Sequence, residues 1–198
     1  MNASGWQQPP PWRVAYDDAR ITLVLIRPDG AVAGEIAPYD VPEQRRGSGF
    51  FATMRSSLSD GVDAALWMQG RGRIRGGAPA VHFTMADGTP VELWNGRDGG
   101  WRRARRHGTL TIAGRKYEVR HLGRRRTALV HDGVRRTTLR RKGFGWGATA
   151  DAAPNYVVRH GVPAPDAHDE LAIVLAGSTL GPVGRPGWWA EFFNEFSP

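Results

Sequence analysis

The sequence predicts a mainly-β protein, an antiparallel barrel, closed or nearly closed, around one apolar helix near the C-terminus. Two observations carry that expectation. About a dozen short strand-like segments follow one another, joined mostly by hairpin turns. One later segment, Leu171–Leu180, has no charge on any face and follows an acidic helix start. At 198 residues the chain is long enough for one domain with a real core. Its expected division is a leader over 1–11, a single domain over 12–184 and an aromatic tail over 185–198.

Met1–Pro11 (MNASGWQQPPP) reads as a mobile leader. Ile21–Arg27 and Ala31–Ile36 flank Pro28-Asp29-Gly30 and predict a first hairpin. Gly49–Ser56 and Ala64–Met68 are further short segments. Val81–Met85 and Val91–Trp94 flank Ala86-Asp87-Gly88, and Pro90 suits a strand start because it cannot donate to a ladder. Thr109–Ile112 and Lys116–Leu122 flank Ala113-Gly114. Arg125–His131 and Val134–Arg141 flank Asp132-Gly133, the strongest turn signal, since a type I′ turn needs positive φ. Asn155–His160 is one more strand.

The helix expected over Glu170–Gly181 has Asp166 as its N-cap, with Asp169 and Glu170 complementing the dipole of its first turn. Gly181-Pro182 stops it. A helix apolar all round must be enclosed, and this one is far too short to span a bilayer. A buried strand over Leu171–Ala176 is the competing reading. In the tail, Trp188, Trp189, Phe192, Phe193 and Phe196 recur at helical spacing opposite Glu191, Asn194 and Glu195. Such a stripe either closes the open end of the core or docks on a membrane surface or partner.

Charge is concentrated in one block. Residues 97–142 hold 16 Arg and Lys against 3 Asp and Glu, while the net charge of the whole chain is +8. Lys116 and Lys142 are the only lysines. Such a field attracts the phosphates of nucleic acid or lipid headgroups, or an acidic protein, and arginine favours bidentate phosphate contacts. A two-residue Asp132-Gly133 turn pairs His131 with Val134, Leu129 with Arg136 and Arg125 with Arg140. Arg125, Arg136 and Arg140 then share one face, where like charges need water or an anion. Trp101 to Arg106 (WRRARR) adds a neighbouring basic segment. The candidate anion-binding residues are therefore Arg102, Arg103, Arg105, Arg106, Lys116, Arg125, Arg136 and Arg140. Solvated strand edges, where charge discourages aggregation, are the competing reading.

Other chemistry finds little support. The absence of Cys excludes disulfides, thiolate zinc sites, Fe–S clusters and Cys nucleophiles, and agrees with a reducing compartment. His82, His107, His121, His131, His160 and His168 form no His-x-His or His-x-x-x-His pair, so no metal site is expected. There is no Gly-x-Ser-x-Gly elbow and no Walker loop. Gly143–Gly147 (GFGWG) reads as a corner, and Gly70–Gly77 (GRGRIRGG) as a basic loop with a hint of an RGG segment.

The strand meander, with Tyr117–Leu122, the hairpin Arg125–Arg141 and the apolar helix Leu171–Leu180, resembles the tubby C-terminal-like superfamily. That superfamily includes tubby domains, phospholipid scramblases and LURP-one-related proteins. The resemblance covers Trp12 to Leu180 and implies a twelve-stranded barrel wrapping a central helix, with binding to phosphoinositide or a lipid surface. The chain departs from the family in its aromatic tail, in lacking the scramblase lipidation Cys, and in lacking a calcium-loop acidic cluster.

The expected function is a non-enzymatic binding module that presents an Arg-rich face to an anionic partner, with phosphoinositide or other lipid headgroups foremost. Expected with it are no cofactor, no transmembrane span, and a cytoplasmic location peripheral to the membrane. A nucleic-acid-binding protein using the same block is the alternative. An enzyme with a pocket built from distant residues is the third reading.

Overall fold

Turn chemistry and strand alternation dictate most of the fold, which the computed structural model describes over residues 5–17, 22–36, 74, 80–96, 107–142, 154–180 and 183–184. The strands are β1 (Arg13–Asp17), β2 (Thr22–Ile26), β3 (Val32–Ile36), β4 (Val81–Thr84) and β5 (Pro90–Trp94). They continue as β6 (Gly108–Ile112), β7 (Arg115–Gly123), β8 (Arg126–His131), β9 (Val134–Arg141) and β10 (Tyr156–His160). One helix, α1 (Ala167–Ser178), follows among the described residues.

Among the described residues the chain is mainly β, with one short helix and two antiparallel sheets. β1-β2-β3 form one sheet, and β10-β9-β8-β7-β6-β5-β4 form the other. No ladder joins them into a closed barrel among the described residues. Among the described residues they meet at a bridge between Gly34 and Met85, beside which the Ala86 N–H donates to the Ala33 carbonyl at 2.7 Å.

The expected hairpins form at the expected turns. Asp132 and Gly133 both adopt positive φ, +49° and +76°, as a type I′ turn requires. The loops after β2 and β4 share a second design. Asp29 and Asp87 each accept a hydrogen bond from the backbone N–H two residues on, at 3.0 Å in both loops. β1 was not expected, because Arg-Val-Ala-Tyr-Asp gives only weak alternation and no turn dipeptide follows it. Within the segment expected as a leader, Gln7 exchanges two backbone hydrogen bonds with Val158, at 2.8 and 2.9 Å. Gly49–Ser56, Ala64–Met68, Gly143–Gly147 and the aromatic tail lie outside the described residues.

Inward-facing residues of both sheets join one core. Leu23, Leu25 and Ile36 come from the smaller sheet, and Leu93, Leu110, Ile112, Tyr117, Leu129, Leu139 and Val158 from the larger. α1 contributes Leu171 through Ala176 without a break, so every side of the helix is covered. Full burial of each aliphatic side chain contributes about 1.5–3 kcal/mol. The helix touches β6 and β9. Its last turn lies against β10, where a Cβ on Gly177 would fall within the Tyr156 ring.

The other end of α1 is bolted down by charge. Asp166 and Asp169 form a reciprocal capping box. Asp169 is 1% exposed. Its carboxylate accepts from Arg136 Nη2 at 2.7 Å and from the Tyr117 hydroxyl at 2.9 Å. It also accepts from the Asp166 backbone N–H at 3.2 Å. Arg115 Nη1 donates to Asp166 Oδ2 at 2.5 Å. Burial alone would raise the Asp169 carboxyl, but the hydrogen bonds from Arg136, Asp166 and Tyr117 outweigh it and hold it below its ordinary value. The Arg115 hydrogen bond, with the Asp169 backbone N–H, holds Asp166 down at about 2. Burial pushes the Tyr117 hydroxyl above its ordinary value.

Two outcomes test this packing. Gly→Ala inside a helix ordinarily gains about 1 kcal/mol. Gly177→Ala is expected instead to cost about 1–3 kcal/mol in urea unfolding, because the methyl overlaps the Tyr156 ring. Asp169→Ala removes the buried partner of the partly buried Arg136 guanidinium and is expected to cost about 3 kcal/mol. Asp166 and Asp169 both have folded pKa values below their unfolded value of 3.8. Their stabilisation is therefore complete above that value and is lost as the pH falls towards about 2. Urea midpoints across this window should fall more steeply for the native chain than for Asp169→Ala.

Candidate anion-binding face

The outer face of β7–β10 is where the basic block emerges. Alternation along β7 turns Tyr117, Val119 and His121 inward, which leaves Lys116, Glu118, Arg120 and Leu122 outward. On β8 and β9, Arg126 and Arg140 face each other as direct cross-strand partners. Arg159 of β10 pairs with Thr138, and Arg135 with Val130. Glu118 is the one strand carboxylate on this face of β7–β10, and Arg120 holds it at 2.6 Å. Among the described residues, no carboxylate forms an ion pair with Arg126, Arg135 or Arg140.

Trp6 completes the face. The Gln7–Val158 bridge lays it beside β10, under two guanidinium groups. Arg140 Cζ lies 4.4 Å from the Trp6 ring centroid and Arg159 Cζ 4.8 Å from it. Lys142 Nζ donates to Gln8 Oε1 at 2.9 Å and ties the same segment down. A shallow depression of about 250 Å³ runs across the face, with Trp6, Leu122, Arg126, Arg135, Thr138 and Arg159 in its lining. Guanidinium groups hold their charge at any working pH. This surface therefore offers attraction and forked hydrogen bonds rather than proton transfer.

The register differs from the one expected. A β-bulge between Leu129 and Val130 sets Leu129 opposite Thr137 and Val130 opposite Arg135, leaving Arg136 as the extra residue. Arg126, not Arg125, then faces Arg140. Arg136 is not on the outer face with Arg140: it turns to the buried Asp169 carboxylate. Arg125 sits half-buried in the turn before β8, and its carbonyl accepts the Arg141 N–H at 2.9 Å. Lys116 is exposed at the far end of β7, where its carbonyl accepts from His131 Nδ1 at 2.9 Å. Arg102, Arg103, Arg105 and Arg106 lie outside the described residues.

Sequence reasoning missed Arg126, Arg135, Arg159 and Trp6. A bulge has no residue signature in this hairpin, and it displaces every partner beyond it by one. Arg159 stands outside the basic block and reaches the face only through the pairing of β10. Among the described residues, no three of His, Asp and Glu gather as a metal site, and no helix is long and apolar enough to cross a membrane. No family model, curated protein or solved structure matches the chain.

The stacking of two guanidinium groups on Trp6 has a measurable consequence. Each exposed cation–π contact contributes about 0.5–1 kcal/mol. Trp6→Ala should lower unfolding stability by about 1–2 kcal/mol and speed amide exchange at Gln7 and Val158. Unchanged exchange at both amides would mean that the segment is held without the ring.

Proposed function

We propose that this chain is a non-enzymatic binding module that presents its outer arginine face to the phosphorylated headgroups of membrane lipids. The observation that carries this reading is the Arg126–Arg140 rung, two like charges set opposite each other with no described carboxylate against either. Like charges directly opposed on a sheet repel, and a phosphate between them converts the repulsion into charge-assisted hydrogen bonds. Arg135, Arg159 and the Trp6 ring extend the same surface. The location that goes with this function is cytoplasmic and peripheral to a membrane.

The reading includes a barrel-like wall around α1, as in the tubby C-terminal-like superfamily that the sequence resembles. The N-terminal segment supports it. Gln7 pairs with β10, at the edge of the larger sheet, and Arg13 pairs with β2 of the smaller one. One short stretch of chain thus spans from one sheet to the other, on the side away from the Gly34–Met85 bridge.

Vesicle flotation with and without phosphoinositide tests the function. A basic side chain near an anionic membrane contributes about 1 kcal/mol. The triple variant Arg126→Ser, Arg140→Ser, Arg159→Ser should therefore bind phosphoinositide vesicles roughly 100-fold more weakly. Equal flotation of variant and native chain would remove the face from the function. A salt-steep shift of a short oligonucleotide, with no flotation, would assign the face to nucleic acid instead.

A further inference from the structure

β9 ends on Arg141, whose side chain points inward and is 9% exposed. Its backbone is one rung beyond the Arg126–Arg140 pair, bonded to the Arg125 carbonyl. Nη2 donates to the Arg124 carbonyl through a long bond of 3.3 Å. Nε and Nη1 are buried and have no hydrogen-bond partner among the described residues. No described carboxylate pairs with this guanidinium. Burial, with the neighbouring Arg125 charge, pushes its pKa below the ordinary value.

Arg136, five positions earlier on the same strand, defines what is missing. There Asp169 meets the guanidinium at 2.7 Å. A buried cation with one long hydrogen bond and no described counter-charge is strongly unfavourable, and an anion would complete its shell. The surroundings suit one. Gly184 crosses the turn between β7 and β8 with φ +86°, and its N–H donates to Thr127 Oγ1 at 2.8 Å. A Cβ there would come within 2.5 Å of the Arg124 carbonyl, the same oxygen that Arg141 reaches. Above it, Arg124 and Arg126 are exposed and Arg125 is half-buried. Four arginines thus stand at one end of β8 and β9, with Arg140 beside them.

We infer that Arg141, beneath the Arg124–Arg126 turn, is an inner subsite for a single phosphate group. The unmet donors, Nε and Nη1, lie on different edges of the guanidinium. One anion engages one of these edges at a time, and a phosphate brings up to two charges to a turn that also exposes Arg124 and Arg126. The shared chemistry is the phosphate group, whether free or carried on an inositol headgroup. The subsite does not rest on the outer face, because Arg141 points inward while Arg126, Arg140 and Arg159 point outward.

The test uses the full chain with ¹⁵N-labelled arginine side chains, the Arg141 Nε–Hε resonance being assigned by its absence in Arg141→Lys. Inorganic phosphate is titrated in one arm and soluble inositol trisphosphate in the other. Saturable movement of that resonance in either arm is the expected result, and the arm that moves it identifies the source. Arg141→Met should weaken the responding probe about 10- to 100-fold, with an unfolding midpoint in phosphate-free buffer no lower than that of the native chain. The triple variant of Arg126, Arg140 and Arg159 should keep the Arg141 response even where it loses vesicle binding, which separates the two sites. An unmoved resonance in both arms overturns the inference. So does a midpoint for Arg141→Met that collapses as that of Asp169→Ala is expected to, because Arg141 would then be paired within the fold.

Discussion

A carboxylate enters an apolar interior only where donors meet it, and Asp169 is met by Arg136, by the Tyr117 hydroxyl and by the Asp166 backbone. These contacts do more than hold α1. They tie the first turn of the helix to β7 and β9 together, so the helix cannot slide along the sheet without stranding a charge. They also fix the direction of Arg136 at the bulge. That extra residue sets the alternation of the rest of β9, with Leu139 inward and Arg140 outward. The composition of the outer arginine face thus follows from a buried ion pair on the other side of the sheet.

Three arginines of β9 meet three different environments within six residues. Arg136 is partly buried and neutralised by the buried Asp169. Arg140 is half-exposed, keeps its charge and rests on Trp6. Arg141 is buried with unmet donors. Identical side chains therefore carry unequal free energies, ordered by the desolvation each suffers and the acceptors each finds. In water the guanidinium of Arg140 loses little; inside, the same group must be answered by an anion. Only the first of the three is answered by a described residue of the chain.

The hairpins were legible because turn geometry is local. Asp132-Gly133 and Ala113-Gly114 require φ values that few residues adopt, and the strands around the second alternate cleanly. The helix was legible because its acidic cap and uncharged body agree. The Asp166–Asp169 capping box can be read from four residues, and the burial of Leu171–Ala176 follows from their composition. The site was legible only as a block of charge. Its membership depends on a bulge that no local residue announces, and on β10, which brings Arg159 from outside the block. Trp6 was hidden for another reason. MNASGWQQPPP has the composition of a loose terminus, and what holds residues 6 and 7 is a bridge to a strand some 150 residues later.

Trp6 also bears on how the face keeps its charge. Two guanidinium groups packed close together need some compensation, and a carboxylate between them would supply the most. It would also cancel their charge. An indole ring stabilises the cations through its quadrupole and adds no net charge. Arg140 and Arg159 are thereby held in place by a neighbour that adds no charge. The same ring is anchored by the Gln7–Val158 bridge, so the order of the N-terminal segment and the geometry of the arginines depend on each other. An uncharged ring can thus position two guanidinium groups without itself cancelling their charge.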